Sequence, residues 1–264
     1  MITGRAGTGK SALIHREIVQ DLLDHPLGPP IFILVPDQMP FQTEYELTNH
    51  YGLKGIMRAQ VLTFKRLAWF ILQETGGIAK EKVDSVGYRM LLRRILEEHK
   101  DEFSLFKNAA GKSGFTKEIE KLLKEFSQYN VNTATIDVLI NELKQQNASP
   151  TLIEKMHDLK IVLLELEDQL GTGFIDGEGF FPALMEKLPD SEMIAQAHIY
   201  LDGYMAFTGQ EFELLKILLK YANRMTIVLS LDDKVKDLAE SSLFHRPAST
   251  HEKIMQAALE INQG

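Results

Sequence analysis

Eight residues near the start of the chain constrain it more than any others. Residues 4–11 read Gly-Arg-Ala-Gly-Thr-Gly-Lys-Ser, which satisfies the pattern G-x-x-x-x-G-K-[ST] in full. The positions that follow, Ala12 to Leu23, have helical period: Leu13, Ile14, Ile18, Leu22 and Leu23 can share one face. Glycines allow a tight loop whose backbone N–H groups point inward at an anion. The helix after it directs the positive end of its dipole at the same anion. The spacing therefore predicts a strand, a phosphate-cradling loop and a helix. Gly4, Arg5, Ala6, Gly7, Thr8, Gly9, Lys10 and Ser11 are its nucleotide-binding residues. Lys10 is placed to bridge β- and γ-phosphate oxygens, and the Ser11 hydroxyl to coordinate Mg²⁺. Only Met1, Ile2 and Thr3 precede the loop, so its strand is minimal. No glutamine lies upstream to read an adenine edge, so the base is not named by the sequence.

The rest of the chain offers a sheet to carry that loop. Ile31 to Val35 is an unbroken apolar run with β-branched residues, as in a strand buried on both faces. Pro36 ends it, and Phe41 to Asn49 reads as a helix. Gln60 to Phe64 is a further short strand, followed by a helix from Lys65 to Gln73. Late in the chain, His198 to Leu201 and Met225 to Leu231 read as strands on either side of a helix over Glu211 to Tyr221. Alternating strands and helices argue for a parallel sheet with right-handed crossovers. Between Glu81 and Leu170 the pattern changes to amphipathic helices with hardly a strand signal. The expected fold is α/β. Residues 1–80 form the first part of the sheet domain, 81–190 a helical insertion, 191–240 the return to the sheet, and 241–264 a helical tail or the start of a further domain.

Composition narrows the function classes. The 264 residues are 44% apolar and 25% charged, enough to bury a sizeable core without staples. The absence of cysteine excludes disulfides, thiolate zinc sites, iron–sulfur clusters and a cysteine nucleophile within this chain. No apolar run approaches the roughly 20 residues of a membrane span. The first residues lack the apolar stretch of a signal peptide, so the chain reads as soluble and cytoplasmic. The formal net charge of −8 is uneven, +2 over residues 1–125 and −10 over the remainder. That excludes a wholly basic nucleic-acid binder but leaves room for a local phosphate-binding face.

A phosphate loop needs a carboxylate from the end of another strand to hold the metal's water shell. Asp202, directly after His198 to Leu201, fits that place, although an Asp-Gly pair is also a common turn. Ser11 and Asp202 are thus the expected Mg²⁺ residues. ATP-driven motors usually place a glutamate beside this aspartate to polarise the attacking water. Here the neighbour is Gly203, and Glu211 and Glu213 fall in the next helix. Binding without efficient hydrolysis is the expectation.

Longer blocks carry a more specific likeness. They are Phe32-Ile33-Leu34-Val35-Pro36-Asp37-Gln38-Met39, the run Arg58 to Trp69, and His198 to Tyr204 with Phe207 to Phe212; Lys112-Ser113-Gly114-Phe115 also fits. With the phosphate loop, they make the whole chain resemble the N-terminal region of AddB-type proteins, the second subunits of bacterial AddAB helicase–nucleases. The resemblance implies a P-loop, RecA-like ATPase domain of the superfamily 1 helicase type with a helical domain inserted into it. ATP and Mg²⁺ are the implied cofactors. The implied partners are an AddA-type helicase–nuclease subunit, in a heterodimer, and single-stranded and duplex DNA. Such a region is helicase-derived without being a motor, and scans the single strand for Chi, a recombination hotspot, during DNA repair. The family's nuclease domain, with its cysteine-bound iron–sulfur cluster, lies far downstream. The chain is therefore expected to be an amino-terminal fragment without nuclease activity.

In that scheme Pro36 to Phe41 and Thr63 to Arg66 occupy the places where related helicases touch single-stranded DNA. Gln38, Phe41, Arg58, Thr63, Phe64, Lys65 and Arg66 are the candidate DNA-binding residues. Rings and amides can stack or hydrogen-bond bases, and Arg58, Lys65 and Arg66 form a basic cluster suited to phosphates. Each has a plainer use: Phe64 and Trp69 at helical spacing suit a core, and the charges a solvated surface. Arg89, Arg93 and Arg94 make a second basic cluster within the helical stretch. Two other functions stay open, a stand-alone P-loop phosphotransferase and a scaffold whose phosphate loop is vestigial.

Overall fold

The computed structural model describes residues 1–53, 57–76, 81–82, 85–171, 174–175, 180–231 and 245–263. The chain clusters into two compact units, one of Met1–Gly77 with Phe181–Gly264 and one of Ile78–Phe180. The boundaries expected near residues 80 and 240 fall outside the described residues.

The chain begins with β1 (Ile2–Gly4), α1 (Lys10–Asp24), β2 (Ile31–Leu34), α2 (Pro40–Tyr45), β3 (Ala59–Leu62) and α3 (Phe64–Thr75). There follow β4 (Glu81–Lys82), α4 (Ser85–Glu98), α5 (Ser113–Gln128), α6 (Thr133–Gln145), α7 (Pro150–Gly171) and β5 (Phe174–Ile175). The last third holds α8 (Phe180–Lys187), α9 (Glu192–Gln196), β6 (His198–Leu201), α10 (Gly209–Tyr221), β7 (Arg224–Ser230) and α11 (His245–Gln263). No described helix is long and apolar enough to cross a membrane.

The first unit is built on a five-stranded sheet in the order β1-β7-β6-β2-β3, parallel throughout. The apolar run at 31–35 is buried on both faces because alternate residues serve different layers. Ile31, Ile33 and Val35 pack with Ala59, Val61, Tyr200 and Val228 against Ile14 and Ile18 of α1 and against Leu47. Phe32, Leu34, Leu62, Ile199 and Leu201 alternate to the opposite face. The returning crossovers must cover that face, and α3 and α10 bury Leu67, Ile71, Leu214, Leu215 and Leu218. Local signals set the helix starts: Thr63 caps α3 by accepting from Arg66 N–H at 3.3 Å, and Thr208 and Glu211 form a capping box on α10. The helix expected over 41–49 is α-helical only to Tyr45. It continues as a π-helical turn, Glu46–His50.

The second unit is a helical bundle whose core joins Leu92, Ile95, Ile119, Leu123, Ile140, Leu159 and Val162. Buried Asp158 on α7 accepts backbone N–H groups from Ser104, Leu105 and Phe106 at 2.9, 2.8 and 2.9 Å, pinning the connection between α4 and α5. The pairing of β4 with β5, two residues each, has no sequence signal because no periodicity develops over that length. The cluster Arg89, Arg93 and Arg94 is committed to ion pairs with Glu120, Glu97 and Glu98. The Arg89 hydrogen bond holds the Glu120 carboxyl below the usual range, against the effect of burial.

Candidate nucleotide and nucleic-acid site

In a parallel sheet every strand delivers its following loop to one edge, and ligands bind in the crevice outside those carboxyl ends. Along that edge stand, in order, the loop after β1, the end of β7, Asp202 after β6, the turn from Pro36 after β2, and Thr63 after β3.

The first loop folds as its composition demands. Gly7 and Gly9 take φ values of 78° and 84°, left-handed conformations that are costly for other residues. Gly4 is restricted by space, since a Cβ there would lie 2.9 Å from Thr8 Oγ1. Gly9 caps α1 without any side-chain hydrogen bond. The first-turn N–H groups of α1, which have no intrahelical acceptor, are therefore not claimed by a cap. Lys10 folds back over the loop, its Nζ donating to the carbonyls of Gly4 at 2.8 Å and Arg5 at 2.7 Å. An ammonium with three donors can exchange those carbonyls for phosphate oxygens. This donor set fits a polyphosphate.

Asp202 is buried at the end of β6, with Oδ1 accepting from Gly203 N–H at 2.8 Å. One strand, β7, separates β6 from β1, so the two strand ends lie about 10 Å apart. The Asp202 charge is felt on α1. His15, one turn beyond Ser11, is held below the usual imidazole range by burial, which outweighs the opposing charges of Glu46 and Asp202. Its Nδ1 lies 3.5 Å from Glu46, and its Nε2 is buried with no hydrogen-bond partner among the described residues. Gly203 has φ 82°, and a Cβ there would meet Met39 Sδ at 2.6 Å and Pro36 Cδ at 3.2 Å. The position where a motor would carry its glutamate has neither the backbone nor the space for a side chain.

Strand β3 sorts the DNA candidates. Thr63, Phe64, Lys65 and Arg66 follow it at the loop edge, whereas Arg58 precedes it at the amino end. Arg58 therefore leaves the expected cluster. Its side chain is 8% exposed, and its guanidinium donates to Pro29 O at 2.6 Å, Asp21 O at 2.8 Å and Asp21 Oδ2 at 2.9 Å. Thr63 is buried, with its hydroxyl accepting at the helix cap. Phe64, 2% exposed, packs against the rings of Tyr204 and Phe207 at centroid distances of 5.4 and 6.3 Å, so it is a core residue with no face for a base. Burial pushes the Tyr204 phenol up, and Glu211 and Asp37 add to the shift.

Gln38, Phe41, Lys65 and Arg66 are exposed at the loop edge. Trp69, whose spacing suits a core, is instead 44% exposed. It follows Arg66 by three residues and Lys65 by four, which places the three on one face of α3. Tyr45 and Met205 are also exposed there and were not singled out by sequence. A signal for Tyr45 existed: Phe41 and Tyr45 share one helical stripe, while Thr43 and Leu47 form the buried stripe beside it.

The family model described as ADDB, N-terminal matches residues 1–263. The chain belongs to the AddB N-terminal family. Among curated relatives, an ATP-dependent helicase/deoxyribonuclease subunit of Lysinibacillus sphaericus is 54% identical over 260 residues, 98% of this chain and 22% of the relative. The protein of the same name from Bacillus subtilis is 39% identical over 265 residues, 99% of this chain and 23% of the relative. That of Bacillus pumilus is 38% identical over 266 residues. The chain thus spans less than a quarter of the length of these relatives. The AddB-like blocks Val35 to Met39 and Thr63 to Ala68 are the ones that emerge from the carboxyl ends of β2 and β3.

Proposed function

We propose that the chain is the nucleotide-binding, single-strand-contacting region of a DNA-processing helicase–nuclease subunit, and that it binds nucleotide without acting as a motor. One observation carries the reading. An uncapped helix start beside Lys10, the buried carboxylate of Asp202 and the exposed Gln38, Phe41, Lys65 and Arg66 all lie along one edge of one parallel sheet. The sheet order, with β7 between the phosphate-loop strand and the Asp202 strand, suits a RecA-like domain of the superfamily 1 type. In this reading Gly4 to Ser11 hold the phosphates of ATP, and Ser11 and Asp202 hold Mg²⁺ with its water. The metal supplies charge neutralisation between phosphate oxygens when bound. Lys10 releases the Gly4 and Arg5 carbonyls to meet the anion, and Gly203 offers no carboxylate to polarise water. The relatives are named as one subunit of a helicase/deoxyribonuclease. That name supports a further subunit as partner, which we take to be of AddA type, and we assign Chi scanning to the exposed edge.

A fluorescent ATP analogue titrated into wild type and Lys10→Ala tests the nucleotide. We expect a loss of at least about tenfold, since a charge-assisted contact to phosphate is removed. Equal affinities would favour the scaffold reading, in which Lys10 serves only to latch its own loop. Turnover of ATP at motor-like rates by this chain alone would refute the non-motor assignment.

A further inference from the structure

Strand β3 is outermost in the sheet, with three strands between it and β1. A cavity of about 570 Å³ lies along it. Its lining includes Phe41 and Tyr45 of α2, Asn49 of the π-helical turn, Gln60 of β3, and Arg66 and Phe70 of α3. Three features of this cavity are not explained by folding. Phe41 and Tyr45 are 79% and 58% exposed, with ring centroids 6.3 Å apart and planes tilted by 31°, so two aromatic surfaces are left in water. The Gln60 side-chain oxygen is buried with no hydrogen-bond partner among the described residues, a position that costs free energy until a donor arrives. The Arg66 side chain is exposed at the cavity's edge in the first turn of α3. Thr48 and Asn49 of the π-helical turn also line the cavity, and such a turn is a distortion that recurs at functional sites.

We propose that this cavity receives one base of a single-stranded nucleic acid, stacked on the Phe41 and Tyr45 surface, with the Gln60 amide on the base's hydrogen-bonding edge and Arg66 on the adjoining phosphate. The inference rests on the single-strand reading above and adds to it a position that reads a base. The volume lies within the ~300–1,000 Å³ typical of ligand pockets. Aromatic surfaces that remain in solvent suit a polymer laid across them, because every base has a π-face to offer. A glutamine amide both donates and accepts, so on an unpaired strand it can pair with the N6 amino group and N7 of adenine or with N3–H and O4 of thymine. Either base supplies the donor that the buried Gln60 oxygen lacks. Glu44 also lines it, and a carboxylate inside favours an uncharged base over a phosphate in the cavity itself.

The test is fluorescence anisotropy of labelled oligo(dA) and oligo(dT) against wild type, Phe41→Ala, Tyr45→Ala and Gln60→Leu, each checked for folding by circular dichroism. Truncating either aromatic is expected to weaken both oligonucleotides about tenfold, the effect of one stacked base. Gln60→Leu is expected to weaken both oligonucleotides, because the hydrogen bonds to the base edge are lost whichever base is bound. If wild type binds and all three folded variants bind as wild type does, the pocket is refuted while the single-strand reading stands. If wild type binds neither oligonucleotide at millimolar concentration, both are refuted together. If free adenosine monophosphate binds as tightly as oligo(dA), the site takes a mononucleotide and the proposal is overturned.

Discussion

Arg58 and Arg66 flank the same four-residue strand, one before β3 and one after it. At the amino end of the sheet, Arg58 is closed over by Asp21 and two carbonyls, and only its Nε lacks a partner among the described residues. Its neighbours there are similarly engaged: Arg224 pairs with Glu17 at 3.0 Å, and His198 Nε2 lies 3.1 Å from Thr226 Oγ1. At the carboxyl end Arg66 is exposed, Phe41 and Gln38 face solvent, and α1 starts without a side-chain cap. The difference follows from sheet polarity. Parallel strands feed their helices from the carboxyl end, so helix N-termini with unpaired N–H groups collect there, and anions bind where they collect. The amino end can be satisfied internally, as the pairing of Arg58, Arg224 and His198 shows.

The largest effect that tests this contrast should come from Arg58→Ala. Three acceptors lose their buried donor, and we expect a loss of about 3 kcal/mol in urea unfolding, with single-strand affinity of the folded variant unchanged. Arg66→Glu should do the reverse, keeping stability while weakening DNA binding and flattening its salt dependence. Matching behaviour of the two arginines would dissolve the distinction between the ends. A smaller effect is expected for Gly203→Ala, about 1–2 kcal/mol from the left-handed backbone alone, with a further part from Met39. Adding Met39→Ala should recover only that steric part, and full recovery would show that the backbone conformation is not required.

The smallest effect concerns pH at the amino end. Burial, with help from the Arg224 charge, lowers the His198 imidazole from 6.5 to about 4. The unfolded chain takes up this proton near pH 6.5 and the folded chain only near 4, so stability falls as pH drops through that window. His198→Gln should flatten the acid limb of the thermal-melting profile between those values. An unaltered limb would mean that the ring is not closed off from water at the amino end.

Much of this was legible in the sequence where one segment suffices. The loop at 4–11 is a local statement, because glycine torsions and the helix start are set within eight residues. The strand at 31–35 is equally plain, since burial on both faces erases the polar alternation. The exposed arginine and the buried one were not separable, because Arg58, Lys65 and Arg66 read as one basic cluster. Phe64 and Trp69 were no easier to separate: the core reading holds for Phe64 and fails for Trp69. Both have core-like chemistry on α3, and the rings of Tyr204 and Phe207, more than a hundred residues later, decide which one is buried. Gly203 was visible as the residue after the strand-end aspartate. That it is also a required contact with Met39 depends on two loops from different strands.

The chemistry available to the chain is written in its residues: a glycine-rich loop ending in Lys10 and Ser11, a strand-end aspartate followed by glycine, and AddB-type blocks after two strands. Those follow from torsions and residue types that do not depend on distant neighbours. Which residues share a site is a matter for the folded chain. A parallel strand carries residues only eight positions apart to opposite edges of a sheet, while strand order brings Gly4 and Asp202, nearly two hundred apart, to within a single intervening strand.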